Sequence, residues 1–448
     1  MSGGSVRLTK RLWVALLLAI VLVLAVSEVI LTVVAFASLR YRHDIPKDFA
    51  LQRLLLTKWL VLPFLAVDPR LKPYTGGRQR YLGDLTYDSA EWIELISPDA
   101  LLGSRLGRNI TAFENMGLGD MNGSVYVTND EGFASIGSRD FHYGLAHSAR
   151  RYRIIIVGGS TVFGWGAGNP DRNLPARLNS SLKRSEPNRY EVINGGVPGY
   201  DSAQEFLYVA SELIHYKPDL LIVYNGWNDE FAGELDPSIP AARDTSSNWF
   251  KTKDHLLIEG RFRASYSVLG SAQLFAGNVV ARAGAAIHHT GTYWLISGAK
   301  RHVLQYFIPD RPTPQLKYDP ARWEKYEENL TNMLSLADKN GVRVALFLQP
   351  IMWIDGRAPT PEETPRAAVD LPSIGARQAF YAEARPMFAR LRERRQRPAQ
   401  VCIEDLSQIL RGTTETIYGD SGHLLGRGNA IVADEIVKRL STCGVLAN

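Results

Sequence analysis

Tyr152-Arg-Ile-Ile-Ile-Val157, followed at once by Gly158-Gly-Ser160-Thr-Val-Phe-Gly164, is the stretch on which the fold turns. A run of β-branched apolar residues without polar alternation reads as a strand buried on both faces, and the glycine pair ends it. The same pattern recurs downstream. Tyr190-Glu-Val-Ile-Asn194 stops at Gly195-Gly196, and Asp219-Leu-Leu-Ile-Val-Tyr224 stops at Asn225-Gly226. Arg343 to Leu348 and the shorter Gln400 to Glu404 complete the set. Helical spacing falls between them, at residues 175–184, 203–216 and 322–340, with a closing helix over 428–440.

Strands of this kind alternating with amphipathic helices predict an α/β fold. The expected architecture is a doubly wound, flavodoxin-like parallel sheet of about five strands with helices on both faces. Ligands in such sheets sit beyond the carboxyl ends of the strands. The residues just after each strand therefore carry the functional information.

The rest of the 448 residues surrounds this unit. Charged residues make up 22% and apolar residues 45%, enough for a sizeable core. The net charge of +5 is spread along the chain with no basic block interleaved with aromatics, which speaks against a nucleic-acid partner. A short basic tail over residues 1–12, with Arg7, Lys10 and Arg11, precedes an apolar run over residues 13–37. That run is long enough to cross a bilayer, so one transmembrane helix and a membrane partner are expected ahead of the sheet. A cleaved signal is the other reading, since Ala35-Phe36-Ala37 has a small-x-small pattern, although the run exceeds an ordinary signal core. Glu28 interrupts it and needs a proton, a partner or an interface.

Basic residues also follow the run, at Arg40, Arg42 and Lys47, so charge does not fix the orientation. The expectation is a single-pass membrane protein with its catalytic domain outside the cytoplasm, in the periplasm. A second apolar patch at residues 54–67, broken by Lys58 and Pro63, reads as an interfacial helix or as one packed on the globular domain. Residues 38–150 are a juxtamembrane and lead-in region, and residues 151–448 the main domain. A helical insertion at about 230–318 carries Trp249, Tyr266, Tyr293 and Trp294. It is either a cap over the site or a layer docked elsewhere.

Four blocks at strand ends supply chemistry. Ser160 sits in a glycine-rich strand-to-helix turn, which lacks the Lys-Ser/Thr of a phosphate-binding loop. Alone it is weak evidence, since most serines after a strand are merely helix caps. The others are Gly195-Gly-Val-Pro-Gly199-Tyr-Asp, Asn225-Gly-Trp-Asn228-Asp229 and Asp420-Ser-Gly-His423-Leu-Leu-Gly-Arg-Gly428-Asn. Together they offer a hydroxyl, glycine amides, a carboxamide and an Asp-x-x-His pair.

In this order the four blocks resemble the SGNH (GDSL) hydrolase superfamily over roughly residues 152–440. The first block departs from the name-giving form, with Gly-Gly-Ser-Thr where that has Gly-Asp-Ser-Leu. The lead-in Asn129-Asp-Glu-Gly-Phe133 behind a single anchor is similar to membrane-attached bacterial members. The resemblance implies Ser160 as nucleophile, His423 as general base and Asp420 as the carboxylate that orients it. It implies an oxyanion hole from the amides of Ser160 and Gly199 and the side chain of Asn228. Asp229 is expected to bond loop amides. Trp165 and Trp227 adjoin these blocks, as substrate-stacking rings or as core.

No cofactor is expected, and no metal. The two cysteines, Cys402 and Cys443, lie in no metal-ligand pattern. In an oxidising compartment they would form one disulfide, and otherwise they are two small core residues. His288-His289 has no accompanying carboxylates. The resemblance thus implies an esterase acting on acyl, above all O-acetyl, groups of a carbohydrate or lipid outside the cytoplasm. An O-acyltransferase that passes the same acyl group to a polysaccharide hydroxyl is the alternative. A membrane-tethered binding protein without catalysis is a second one.

Overall fold

The computed structural model describes residues 151–231, 321–364, 374–394 and 400–446, shorter stretches between 78 and 145, and the isolated positions Trp13, Ala19 and Val26. The expected anchor, the apolar patch at 54–67 and the insertion lie outside the described residues, apart from those positions and the insertion's first two residues. Among the described residues no helix is long and apolar enough to cross a membrane. The chain divides into two compact units, residues 73–281 with 312–448 and residues 1–72 with 282–311. Everything below concerns the first.

The lead-in supplies five short strands: β1 Arg78–Tyr81, β2 Ile96–Asp99, β3 Gly103–Leu106, β4 Ile110–Glu114 and β5 Ser124–Val127. The pairs β1–β4 and β4–β5 form one small sheet, and β2–β3 a second. The main sheet has five parallel strands, β6 Tyr152–Gly158, β7 Tyr190–Gly196, β8 Leu220–Asn225, β9 Arg343–Leu348 and β10 Val401–Asp405. Their order, β10-β9-β8-β6-β7, is the flavodoxin-like one that the sequence predicts.

Strand β6 is an interior strand, with Ile154 paired to Val192 on one side and to Leu220 on the other. The period of two explains why its apolar run is continuous. Ile155 and Val157 join Leu221, Val223, Leu346 and Leu348 in one core layer. Ile154 and Ile156 join Leu220, Ile222, Ala345 and Phe347 in the opposite layer. Each fully buried aliphatic side chain of this kind stabilises the fold by about 1.5–3 kcal/mol.

The helices are α1 Ser160–Phe163, α2 Leu174–Ser185, α3 Ser202–Ser211, α4 Trp227–Phe231, α5 Ala321–Lys339, α6 Ile374–Arg394 and α7 Gly426–Cys443. Side-chain caps fix two of the starts: Asn173 accepts from the Ala176 amide and Asp201 from the Gln204 amide. The helix expected over 203–216 stops at Ser211, and the chain continues as a 3-10 turn over Leu213–Tyr216. Lys217 ends that turn with a left-handed backbone at φ 51°. Helix α6 is an element that the sequence reading passed over.

The lead-in is fastened to the sheet rather than trailing from it. Ala134 bridges Asn194 at the edge of β7. The buried Arg153 pairs with Glu191 at 2.7 Å and donates to the carbonyls of Tyr143, Gly144 and Tyr216. At the far edge Cys402 and Cys443 form a disulfide that ties β10 to the end of α7.

Candidate active site

Strand β6 delivers Ser160 through two glycines, and each is there for lack of space. A β-carbon on Gly158 would come within 2.4 Å of the Tyr224 carbonyl oxygen. One on Gly159 would come within 2.2 Å of Asn228 Nδ2. Gly159 takes the N-cap position of α1, so Ser160 is the first helical residue and not the cap. Its hydroxyl donates to His423 Nε2 at 2.7 Å.

His423 comes from the loop between β10 and α7. The Gly419 amide bonds the His423 carbonyl at 2.8 Å, and Tyr418 bridges Leu424, which closes the loop into a narrow hairpin. Within it, Asp420 Oδ1 accepts from the amides of Gly422 and His423, both at 2.8 Å. Asp420 Oδ2 lies 2.7 Å from His423 Nδ1. A proton on Nδ1, donated to this carboxylate, leaves Nε2 free to accept from Ser160. Burial works to raise the Asp420 pKa, but the facing imidazole and the two amide donors outweigh it and hold the group below its ordinary value. Asp420 therefore stays ionised at neutral pH beside the ring it orients.

Asn228 lies on α4, reached from β8 through Gly226, whose φ of +118° lies in the left-handed region. Asn228 Nδ2 donates to the Tyr200 carbonyl at 2.8 Å. That bond fixes the carboxamide while using one of its two N–H groups. Tyr200 follows Gly199, another left-handed residue at φ +78°, in the turn after β7. The ends of β6, β7 and β8 thus bring Ser160, Gly199 and Asn228 to one place. The Asp229 carboxylate accepts from the Ser202 amide at 3.0 Å, the loop-bonding part expected of it.

Trp165 and Trp227 flank His423, each with its ring centre 6.4 Å from the imidazole. They are 5% and 8% exposed, and Trp165 stacks on Tyr126 at 5.0 Å. Little of either ring remains to stack on a substrate; both pack beside the His423 ring. Two residues at the site went unsingled in the sequence. Gly159 was read only as a strand end, and Arg377 lies on the unpredicted α6.

Among the described residues one group of metal-ligating types comes together, Asp130, Glu131 and His142. The Glu131 carboxylate is already taken by the amides of Tyr143 and Gly144 at 2.8 and 2.9 Å, so this group ties a lead-in loop.

No family model matches the chain, and no curated protein matches it. Solved structures do. An acetylxylan esterase from Geobacillus stearothermophilus is 13% identical, with a TM-score of 0.34 over 64% of this chain and 94% of that one. A GDSL-like lipase from Bacteroides thetaiotaomicron is 12% identical, with a TM-score of 0.32 over 66% of this chain and 91% of that one. A two-domain esterase active on acetylated mannans is 13% identical, with a TM-score of 0.34 over 66% of this chain and 50% of that one. At such distances the chemistry has to be read from the chain's own geometry.

Proposed function

We propose that this chain is a serine hydrolase of SGNH type that cleaves acyl esters through Ser160. The observation that carries this reading is the relay itself: Ser160 Oγ to His423 Nε2 and His423 Nδ1 to Asp420, both at 2.7 Å. A hydroxyl needs a base to attack an ester at neutral pH, and His423 is in hydrogen-bond contact with it.

The steps follow from the contacts. Ser160 Oγ attacks the ester carbonyl carbon while its proton passes to His423 Nε2. Negative charge collects on the carbonyl oxygen, where the Ser160 and Gly199 amides and the second N–H of Asn228 would meet it. A preorganised donor of this kind contributes about 3–4 kcal/mol to the transition state. Asp420 stabilises the imidazolium without taking its proton. Collapse breaks the C–O bond, and His423 protonates the leaving alkoxide. Water then attacks the acyl-enzyme, giving its proton to His423, and the acid leaves with Ser160 restored.

The substrate class we infer is an acylated, above all O-acetylated, carbohydrate outside the cytoplasm, with the chain held to a membrane through residues 13–37. The Cys402–Cys443 disulfide supports the compartment, because such bonds persist where the environment is oxidising. The apolar length of residues 13–37 supports the anchor.

The test is labelling of the full-length protein by a fluorophosphonate, with acetate release measured on O-acetylated polysaccharides. Labelling of the wild type but not of Ser160→Ala is the expected result. No labelling of either would leave a binding protein on a hydrolase fold. Acetyl transfer to an added sugar outrunning acetate release would convert the assignment to an O-acyltransferase.

A further inference from the structure

Arg377, on the first turn of α6, is fully buried, an uncommon and costly place for a cation. Its guanidinium carbon stands 3.9 Å from the centre of the Trp227 ring, close enough for a stacked cation–π contact. Its Nη1 donates to Ser421 Oγ at 3.3 Å. These two neighbours belong to the two halves of the site. Ser421 lies between Asp420 and Gly422 in the loop that carries His423. Trp227 immediately precedes Asn228. The halves also touch directly, since a β-carbon on Gly422 would fall 2.8 Å from the Trp227 ring. The Ser421 carbonyl accepts from the Met352 amide at 2.9 Å, so the loop is held from beneath as well.

We propose that Arg377 is a positioning residue that sets the Asp420–His423 loop in register with the Asn228 carboxamide. It rests on the hydrolase reading of Ser160. A guanidinium suits the task because it is planar, permanently charged and able to stack and donate at once. A lysine at the same place supplies the charge without the plane. The imidazole and the carboxamide reach the same carbonyl from elements distant in sequence, and one side chain touching both turns fixes their separation. A misplacement of about 1 Å between such groups costs about 100-fold in rate.

The test uses the full chain and two readouts: the second-order rate of fluorophosphonate labelling, and kcat and KM for a short-chain aryl ester per titrated Ser160. Arg377→Met, close in volume, is expected to label about 10- to 100-fold more slowly, with kcat reduced in proportion and KM nearly unchanged. Ser421→Ala should slow labelling about threefold to tenfold, and the double variant should be no slower than Arg377→Met alone. A merely structural role would lower the melting temperature and the titratable fraction while leaving kcat per titrated site at the wild-type value. That result overturns the proposal. Should Arg377→Met not fold, Ser421→Ala decides, and wild-type labelling by it is equally fatal. A wild type that does not label at all removes the hydrolase reading, and this role with it.

Discussion

A β-carbon on Gly159 would sit 2.2 Å from Asn228 Nδ2, so the carboxamide can lie where it does only beside a residue without a side chain. On the proposed mechanism, the residue before the serine therefore helps to set the oxyanion donor. Asn228→Ala is expected to lower kcat by roughly 100- to 1,000-fold, the usual loss for one oxyanion donor. Gly159→Ala should produce a similar loss by pushing the carboxamide away. The double variant should be no worse than either single one, which steady-state kinetics on an aryl ester will check.

The relay predicts its own hierarchy. Ser160→Ala and His423→Ala should each abolish turnover of a short-chain aryl ester, by roughly 10,000-fold or more. Asp420→Asn keeps the shape but favours the wrong imidazole tautomer, and a loss of roughly 10,000-fold is expected. Unchanged turnover in His423→Ala would remove this residue from the mechanism.

Glu363 makes a prediction about acid stability. It is buried, accepts from the amides of Thr360, Ile417 and Tyr418 at 2.8, 2.9 and 3.0 Å, and pairs with the buried Arg357. Burial works to raise its pKa, but these donors outweigh it and hold the group below its ordinary value. A depressed carboxylate pKa stabilises the fold above the unfolded value, about 4.3, and that stability is lost as pH falls through the folded value. Glu363→Gln should lose roughly 1.5–3 kcal/mol at pH 7 by weakening its charge-assisted bonds, while Asp355 still faces Arg357 at 3.4 Å. Its deficit against the wild type should shrink below about pH 4 in denaturant titrations.

The Cys402–Cys443 bond closes a loop with a sequence separation of 41. Chain entropy gives such a cross-link about 4 kcal/mol at most. The paired Ser substitutions, or reduction of the wild type, should lower the melting temperature. Aryl-esterase activity at 25 °C should persist, since neither sulfur lies among the groups of the relay.

Sequence and structure agree where local physics is unambiguous. The strands β6 to β9 were legible because a strand covered on both faces carries a near-continuous apolar run. The Asp-x-x-His pairing was legible because it closes within one short loop. Helix α6 was not legible, although its buried side chains recur with helical period: Arg377, Phe380, Tyr381, Ala384, Met387, Phe388 and Leu391. Two features hid that stripe. It begins with a cation, which reads as solvent-facing, and Pro386 sits inside it, which reads as a break. The spacing role of Gly159 was equally hidden, because its cause is Asn228, far along the chain. Whether Cys402 and Cys443 pair was left open by the sequence, since only the approach of β10 to α7 decides it.

Ser160 and His423 are separated by 263 positions, and every strand of the main sheet except β6 is laid down between them. On the hydrolase reading of Ser160, its hydroxyl would lack a proton acceptor in a partly assembled chain, because His423 follows all five strands of the main sheet. Probe reactivity during refolding should therefore appear late and all at once, as a chemical clock for completion of the whole domain. On the same reading, a chain cut before residue 420 would remain inert towards esters.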